Sequence, residues 1–361
     1  MDIVRKLASI QKIITLEPIP GADKIERAQV LGWQCVVKKG EFQVGDFCIY
    51  FELDSLIPKS IWSGFLFKEG STAEKYRLKT VKMKGQISQG LAMPTSILLP
   101  LREKACGDPK LFLGDALCIS EEGYDVTELI GVEKYEPYIP AQLQGLVKGS
   151  FPCFIPKTDE PRLQAFPRVL QMMMNRKIYV TEKIDGTSFT CFIHNDEFGV
   201  CSRNMELKES EGNLYWKIAR QLDLENKLRH FRQSTMGHEI AIQGEVYGQG
   251  IQGNKYHLED VRLAVFNVYD ISEGKYLNFT QFKACCDALD LTTVPILNEW
   301  SEIKNDDVDS WIQKAFGESV LYPQTPREGI VVRGLDEETI DRYGRFSFKV
   351  INNEFLLKYG E

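Results

Sequence analysis

Over the first 120 or so positions, apolar residues come in runs no longer than a short strand, each closed by turn chemistry. "AQVLGWQCVVKKG", "DFCIYFELDSL" and "YRLKTVKMKG" alternate or run apolar briefly, and "PGAD", "KKGEFQVGD" and "GDPKLFLGD" interrupt them. Gly, Pro and Asp at such spacing stop a helix from propagating, so this half predicts many short strands in a small β-barrel or sandwich. A Pro-studded stretch follows, "EKYEPYIPAQLQGLVKGSFPCFIPKTDEPRLQAFP" over residues 133–167. At 361 residues the chain has room for two domains, and the boundary is expected near 145–150, giving domains of 1–145 and 146–361.

Beyond that boundary the pattern changes. "KIYVTEK", "TSFTCFIH", "AIQGEVYG", "RLAVFNVYDI", "EGIVVRG" and "RFSFKVI" read as strands. "GNLYWKIARQLDLENKLRHFRQ", "FTQFKACCDAL" and "DDVDSWIQKAF" carry helical apolar spacing. The second half is therefore expected to be an α+β domain on a mostly antiparallel sheet.

Several classes are set aside. No apolar stretch approaches the roughly 20 residues of a membrane span, so no membrane association is expected. The opening "MDIVRKLASIQKII" lacks a signal-peptide pattern. Nine cysteines without CxxC spacing fit reduced thiols in an intracellular, cytoplasmic or unassigned compartment, and a monomer is the default. Four scattered histidines make no metal motif. Basic and acidic side chains balance over residues 1–150, so the net charge of −7 lies entirely beyond them. That charge disfavours polyanion binding by the whole surface and leaves room for a local basic groove.

One short stretch raises a chemical question. In "VTEKIDGTSFT" (residues 180–190), Lys183 precedes an Asp-Gly pair by two residues. Asp-Gly between β-rich runs is a strong type I′ hairpin signal, which would leave Lys183 as a surface residue at the tip. The alternative is a lysine placed to attack a phosphate. Downstream, in order, come "CSRN" with Arg203, "IQGEVYG" with Glu245, "FNVYDI" with Phe266, "REGIVVR" with Glu328 and "FSFKVINNEF" with Lys349. Each alone reads as a strand with one solvated charge.

Together this ordered set resembles the nucleotidyl-transfer motifs of the covalent nucleotidyltransferase superfamily, the polynucleotide ligases and mRNA capping enzymes. Glu182 before the lysine, Thr-Ser after Asp-Gly, "SRN" and the loop "GQGIQGNKYHL" look like its RNA-sealing branch. The first half is similar to the N-terminal OB-fold domain of ATP-dependent RNA ligases, and "PKTDEPRLQAF" to the segment entering the adenylyltransferase domain. In DNA ligases and capping enzymes the OB domain follows the last motif, whereas here the OB-like half precedes.

The resemblance implies an ATP-dependent RNA ligase acting in RNA repair. Lys183 attacks the α-phosphate of ATP, and AMP then passes to a 5′-phosphate RNA end that a 3′-OH displaces. A lysine of pKa near 10.4 is deprotonated in only about four molecules in ten thousand at pH 7, so its site must favour the neutral amine. Mg²⁺ or Mn²⁺ is implied, with Asp185, Glu245 and Glu328 aimed at metal-bound waters. Lys349 and Arg203 would contact phosphate or ribose, Phe266 would stack on adenine, and Glu182 would accept from the adenine amino group. Ile184 and Gly186 complete the nucleotide-binding stretch around Lys183. Arg162 and Gln164 match the entry segment, either as nucleotide contacts or as a solvated linker. Lys255 and Tyr256 read as plain surface loop. One departure stands out: many relatives carry two lysines two apart in the last motif, and "Ser347-Phe348-Lys349" offers one, with Lys358 as a partial substitute.

In the N-terminal half, "EKYRLKTVKMKGQ" holds Lys75, Arg77, Lys79, Lys82 and Lys84. Period two puts Lys75, Arg77 and Lys79 on one strand face, either as a protected edge or as an RNA-phosphate contact. The enzyme alternatives are a DNA ligase or a GTP-using capping enzyme, separable by nucleotide and 3′-end preference. A catalytically dead RNA-binding protein is the alternative outside enzymes.

Overall fold

The computed structural model describes residues 5–105, 108–113, 116–135, 145–304, 306–340 and 344–360. Of these, 5–135, 164–167 and 356–360 form one compact unit, and 145–163 with 168–355 form the other. Residues 136–144 of the expected linker lie outside the described residues.

The N-terminal unit is a curled antiparallel sheet built on one long strand, β1 (Ala8–Pro18). Its first half pairs with β4 (Phe47–Phe51). Its second half pairs with β2 (Ile25–Val30), which in turn pairs with β3 (Trp33–Lys38). The register shifts between Ile13 and Thr15, where the strand changes partners. A bulge bends and twists a strand, which is what a sheet needs in order to curl toward a barrel. With β5 (Leu91–Pro94) the strand order is β3-β2-β1-β4-β5. Two apolar clusters fill the curl, one around Ile10, Ile49 and Phe51, the other around Ile13, Trp33 and Tyr50. This is the expected OB-like architecture.

The second unit holds two main antiparallel sheets and a two-stranded ladder, Thr339–Ile340 with Gly344–Arg345. The larger runs, in spatial order, β6 (Val147–Ser150), β10 (Met205–Leu207), β9 (Glu197–Cys201), β8 (Thr187–His194), β11 (Ile240–Gly248), β12 (Val261–Asp270) and β13 (Lys275–Tyr276). The smaller runs β14 (Ile296–Glu302), β7 (Lys177–Lys183), β15 (Gly329–Gly334) and β16 (Ser347–Ile351). The main core joins residues of the larger sheet, such as Phe189, Ile242 and Val265, to Trp216, Leu228 and Phe282 from three helices: α1 (Leu214–Gln221), α2 (Leu224–Ser234) and α3 (Phe279–Ala288). The sequence pattern reads α1 and α2 as a single helix. They separate at Asp223, whose φ of 53° the helix cannot contain. A fourth helix, α4 (Val308–Ala315), starts at Asp307, whose side chain accepts from the Ser310 N–H.

Lys183 ends β7 in the smaller sheet, and Thr187 begins β8 in the larger one. The Asp-Gly pair is thus a crossover between sheets rather than a hairpin tip. Gly186 is needed there for close approach. A Cβ at that position would stand 2.4 Å from the Val246 carbonyl oxygen and 2.8 Å from Glu245 Cγ.

Phe348, fully buried on β16 and edge-on to Trp311 of α4 at 5.4 Å, anchors the smaller sheet. Phe348→Ala is expected to cost about 3–5 kcal/mol in urea unfolding, as deletion of a buried ring usually does. A loss below about 1 kcal/mol would show that the sheet does not depend on this ring.

Candidate active site

Strand pairing brings the sequence-singled residues together. Lys183 lies opposite Gly329 in the β7–β15 register, so Glu328, one residue ahead, falls beside the lysine. Lys183 Nζ donates to Glu328 Oε1 at 2.5 Å, with side chains 26% and 11% exposed. On the larger sheet Glu245 pairs with Ser188, just past the crossover. Burial alone pushes the Lys183 ammonium down, but Glu328, Glu245 and Asp185 outweigh it and hold it above the ordinary lysine value. Burial pushes the Glu245 carboxyl up to about 8, with Glu328 and Asp185 adding to the rise and Lys183 opposing it. The pocket is therefore over-supplied with negative charge. Its donors are hard carboxylate oxygens, which suit Mg²⁺ or Mn²⁺. Among the described residues no three His, Cys, Asp or Glu side chains are grouped closely enough to hold a metal ion directly.

Glu182 faces elsewhere. It is almost fully buried, its Oε1 accepting from Ser319 Oγ at 2.5 Å and its Oε2 from the Val320 N–H at 2.8 Å. Burial raises its pKa against those two hydrogen bonds. Ser319 lies outside every motif in the sequence, which gave no signal for it. Ile184 is buried in a cluster with Tyr247, Tyr256 and Val294, on which Phe266 packs half-buried. The Arg333 guanidinium stands 5.8 Å from the Phe266 ring.

The two cations expected to meet phosphate or ribose share one carboxylate. Asp159 Oδ1 accepts from Lys349 Nζ at 2.8 Å, and its Oδ2 lies 3.2 Å from Arg203. Burial lowers the Lys349 pKa, and Lys183 and Arg162 push the same way. The neighbouring Glu160 is locked into a buried network with Arg333 (3.0 Å), Arg345 and Ser347. Burial disfavours its charge, yet the two guanidiniums and Ser347 hold it below the usual carboxylate range. Ser347, where many relatives carry a lysine, thus binds Glu160, and Arg333 and Arg345 supply the positive charge around it. Lys358 is exposed and belongs with the N-terminal unit. Arg162 bridges to Lys349 through the backbone. Gln164 is buried, which excludes a solvated linker there, and its carbonyl accepts from the Gly32 N–H of the N-terminal unit.

Lys255 and Tyr256 correct the surface-loop reading. Lys255 Nζ lies 2.8 Å from Asp185 Oδ2, with both side chains about a tenth exposed. The Asp185 N–H donates to Tyr256 Oη at 2.7 Å. The sequence signal was the loop's resemblance to the RNA-sealing branch, without a reason for these two side chains.

In the N-terminal unit, Lys75 pairs with Glu133 at 2.5 Å. Arg77 pairs with Asp54 at 2.7 Å and covers the Tyr135 ring at 3.8 Å. Their strand ends at Arg77, so Lys79 leaves the expected shared face and donates to the Gly360 carbonyl at 2.7 Å. Lys82 and Lys84 are exposed on a separate hairpin, Val81–Met83 with Gln86–Ser88.

Comparison with known proteins decides the family. The RNA ligase family model matches residues 176–351, and an OB-fold domain model matches residues 7–95. The RNA ligase of Naegleria gruberi, solved as a point mutant with ATP and Mn, is 34% identical with a TM-score of 0.84, covering 98% of this chain and 99% of that one. This chain belongs to the RNA ligase family. The same ligase solved with PPi is 35% identical, covering 99% of each chain at a TM-score of 0.84. A further mutant in its apo form is 34% identical, covering 100% of this chain and 99% of that one at 0.85. Among curated proteins none matches. No helix of this ligase, among the described residues, is long and apolar enough to cross a membrane.

The raised Glu245 carboxyl gives a pH signature. Between the ordinary value of 4.5 and about 8, the folded protein holds a proton that the unfolded chain has released. The contribution of Glu245 to stability in metal-free buffer is therefore full below about 4.5 and is lost as pH rises toward 8. Glu245→Gln should flatten that slope in urea unfolding at stepped pH; an unchanged slope would assign it to other groups.

Proposed function

We propose that this ligase seals a 3′-OH RNA end to a 5′-phosphate end using ATP, with Lys183 as the nucleophile. The observation that carries the reading is the Lys183 ammonium bonded to Glu328 where two sheets meet, within the electrostatic reach of Glu245 and Asp185. In the first step the neutral Lys183 amine attacks the α-phosphorus of ATP, the P–N bond forms, and pyrophosphate leaves with the α–β bridging oxygen. In the second, an oxygen of the RNA 5′-phosphate attacks the same phosphorus and returns the lysine. In the third, the 3′-OH attacks the RNA 5′-phosphorus, loses its proton and expels AMP.

All three are in-line displacements, in which positioning and charge stabilisation lower the barrier. A divalent cation held through water by Asp185, Glu245 and Glu328 would supply positive charge, which stabilises phosphate and favours the neutral lysine. Lys349 and Arg203 would hold phosphate or ribose oxygens after parting from Asp159. Phe266, with Ile184 and Gly186, would form the adenine side. Glu182, already engaged by Ser319 and Val320, would frame that side and present its remaining lone pairs to the adenine amino group.

The first test is transfer of label from α-labelled ATP or GTP to the denatured chain. Acid-labile label from ATP alone, absent in Lys183→Ala, is the expected result. Label from GTP, or none in folded protein with Mg²⁺ or Mn²⁺, would overturn the reading. Asp159→Asn should lower the ATP concentration for half-maximal labelling, because phosphate no longer competes with a carboxylate for Lys349 and Arg203. A higher concentration would instead make Asp159 an organiser of those cations.

RNA binding is assigned to the exposed Lys82 and Lys84. Replacing both with Ala should reduce the salt dependence of RNA binding by about 0.7 in log–log slope for each phosphate that the two lysines neutralise. AMP transfer to Lys183 should stay unchanged. An unchanged salt slope would place the RNA path elsewhere.

A further inference from the structure

The loop after β11, residues 249–258, is ordered by interactions that would be out of place in a solvated connection. Gln252, Asn254 and His257 take positive φ, of 46°, 48° and 51°. Such backbone persists only where surroundings hold it. Asn254 grips Leu258 twice, donating to its carbonyl at 2.8 Å and accepting from its N–H at 3.1 Å. Ile251 and Tyr256 are buried, and Tyr256 packs edge-on to Tyr247 at 5.6 Å. The loop thus delivers two side chains to one residue: Tyr256 fixes the Asp185 N–H and Lys255 its carboxylate. The Lys255 ammonium also stands 4.7 Å from the centre of the Phe355 ring, just past the last motif.

We infer that Lys255 is a positioning residue for AMP transfer to Lys183, holding the Asp185 carboxylate in place two residues beyond the nucleophile. The inference rests on the proposed role of Lys183. Its physical basis is geometric. Asp185 is one of three carboxylates whose charge falls on Lys183. A carboxylate this buried needs a cation of its own, since removing one partner of a buried pair leaves an uncompensated charge. With Lys255 seated on Oδ2, the carboxylate is held by its side chain and, through Tyr256, by its backbone. It keeps a fixed orientation toward whatever occupies the space around Lys183. Outer partners that orient acidic groups in this way typically matter by about 10–100-fold in activity or metal affinity.

The test uses the full chain in four forms: Lys255→Met, Lys255→Arg, Asp185→Asn and the Lys255→Met/Asp185→Asn double variant. Single-turnover labelling with α-labelled ATP is read across a Mn²⁺ titration. Lys255→Met should slow labelling on the order of 10–100-fold or raise the Mn²⁺ required by as much. Lys255→Arg should recover most of that loss, and Lys255→Met should cost little more once Asp185 is Asn. Melting without metal gives a readout independent of activity. Lys255→Met should lower the melting temperature, and adding Asp185→Asn should restore it, because no buried charge is then left unpaired. Wild-type rates and melting in Lys255→Met would overturn the inference, as would equal losses with Asp185 intact or replaced. If the wild-type chain takes no label, the role of Lys183 fails instead, while melting still reports on the Lys255–Asp185 pair.

Discussion

A lysine ammonium held among carboxylates is the interaction on which the second unit depends. Charges buried together are favourable only when each has a partner and the geometry is fixed. Here Lys183 comes from the end of one strand, Glu328 from the residue just before its neighbour, and Glu245 from the other sheet. The backbones of Lys183 and Glu245 are held in strand ladders, and the Glu328 carbonyl accepts from the Asn352 N–H. The glycines at 186 and 329 permit the approach: a Cβ at 329 would meet the Val350 carbonyl oxygen at 2.2 Å. Two sheets meeting at a crossover thus convert strand register into the placement of charges.

The arrangement also explains why the site is built to change state. The carboxylates around Lys183 keep its ammonium charged, and burial, with Glu328 and Asp185 adding to it, lifts the Glu245 carboxyl to about 8. An added cation relieves both conditions at once, lowering the proton affinity of the carboxyl and of the amine together. Several neighbouring charges are compensated internally. Asp185 has Lys255, Glu160 has Arg333 and Arg345, and Lys349 with Arg203 has Asp159.

Much of this was legible in the sequence because it is carried by strands with one charged residue in a fixed place. "EKIDG", "GEVYG", "EGIVVR" and "FSFKVI" each encode a strand and one functional group at its end or middle. Their order in the chain sufficed to anticipate an antiparallel sheet and Lys183, Glu245 and Glu328 in one place, but not the division of the strands between two sheets. The N-terminal half was legible as short strands. Its organising strand β1 was not singled out, and the change of partners at the register shift after Ile13 leaves no mark in the residue pattern. The break between α1 and α2 was hidden because both halves continue one apolar periodicity through Asp223.

What escaped the sequence has a common physical cause: partners contributed by loops. Ser319 on Glu182, Lys255 and Tyr256 on Asp185, and Asp159 between Lys349 and Arg203 all lie far along the chain from the groups they hold. A strand announces itself through its periodicity, whereas a loop residue that turns inward looks the same in sequence as one that turns to water. Lys255 shows the difference most sharply. In "GQGIQGNKYHL" it reads as a solvated lysine among glycines, and those glycines, with three positive-φ residues, are what fold the loop back on itself. The backbone features that suggest surface disorder are here the means of burying a charge. It follows that in such a chain a conformationally demanding loop directly after an acidic strand motif should be read for the side chains it can carry inward, before its lysines are assigned to solvent.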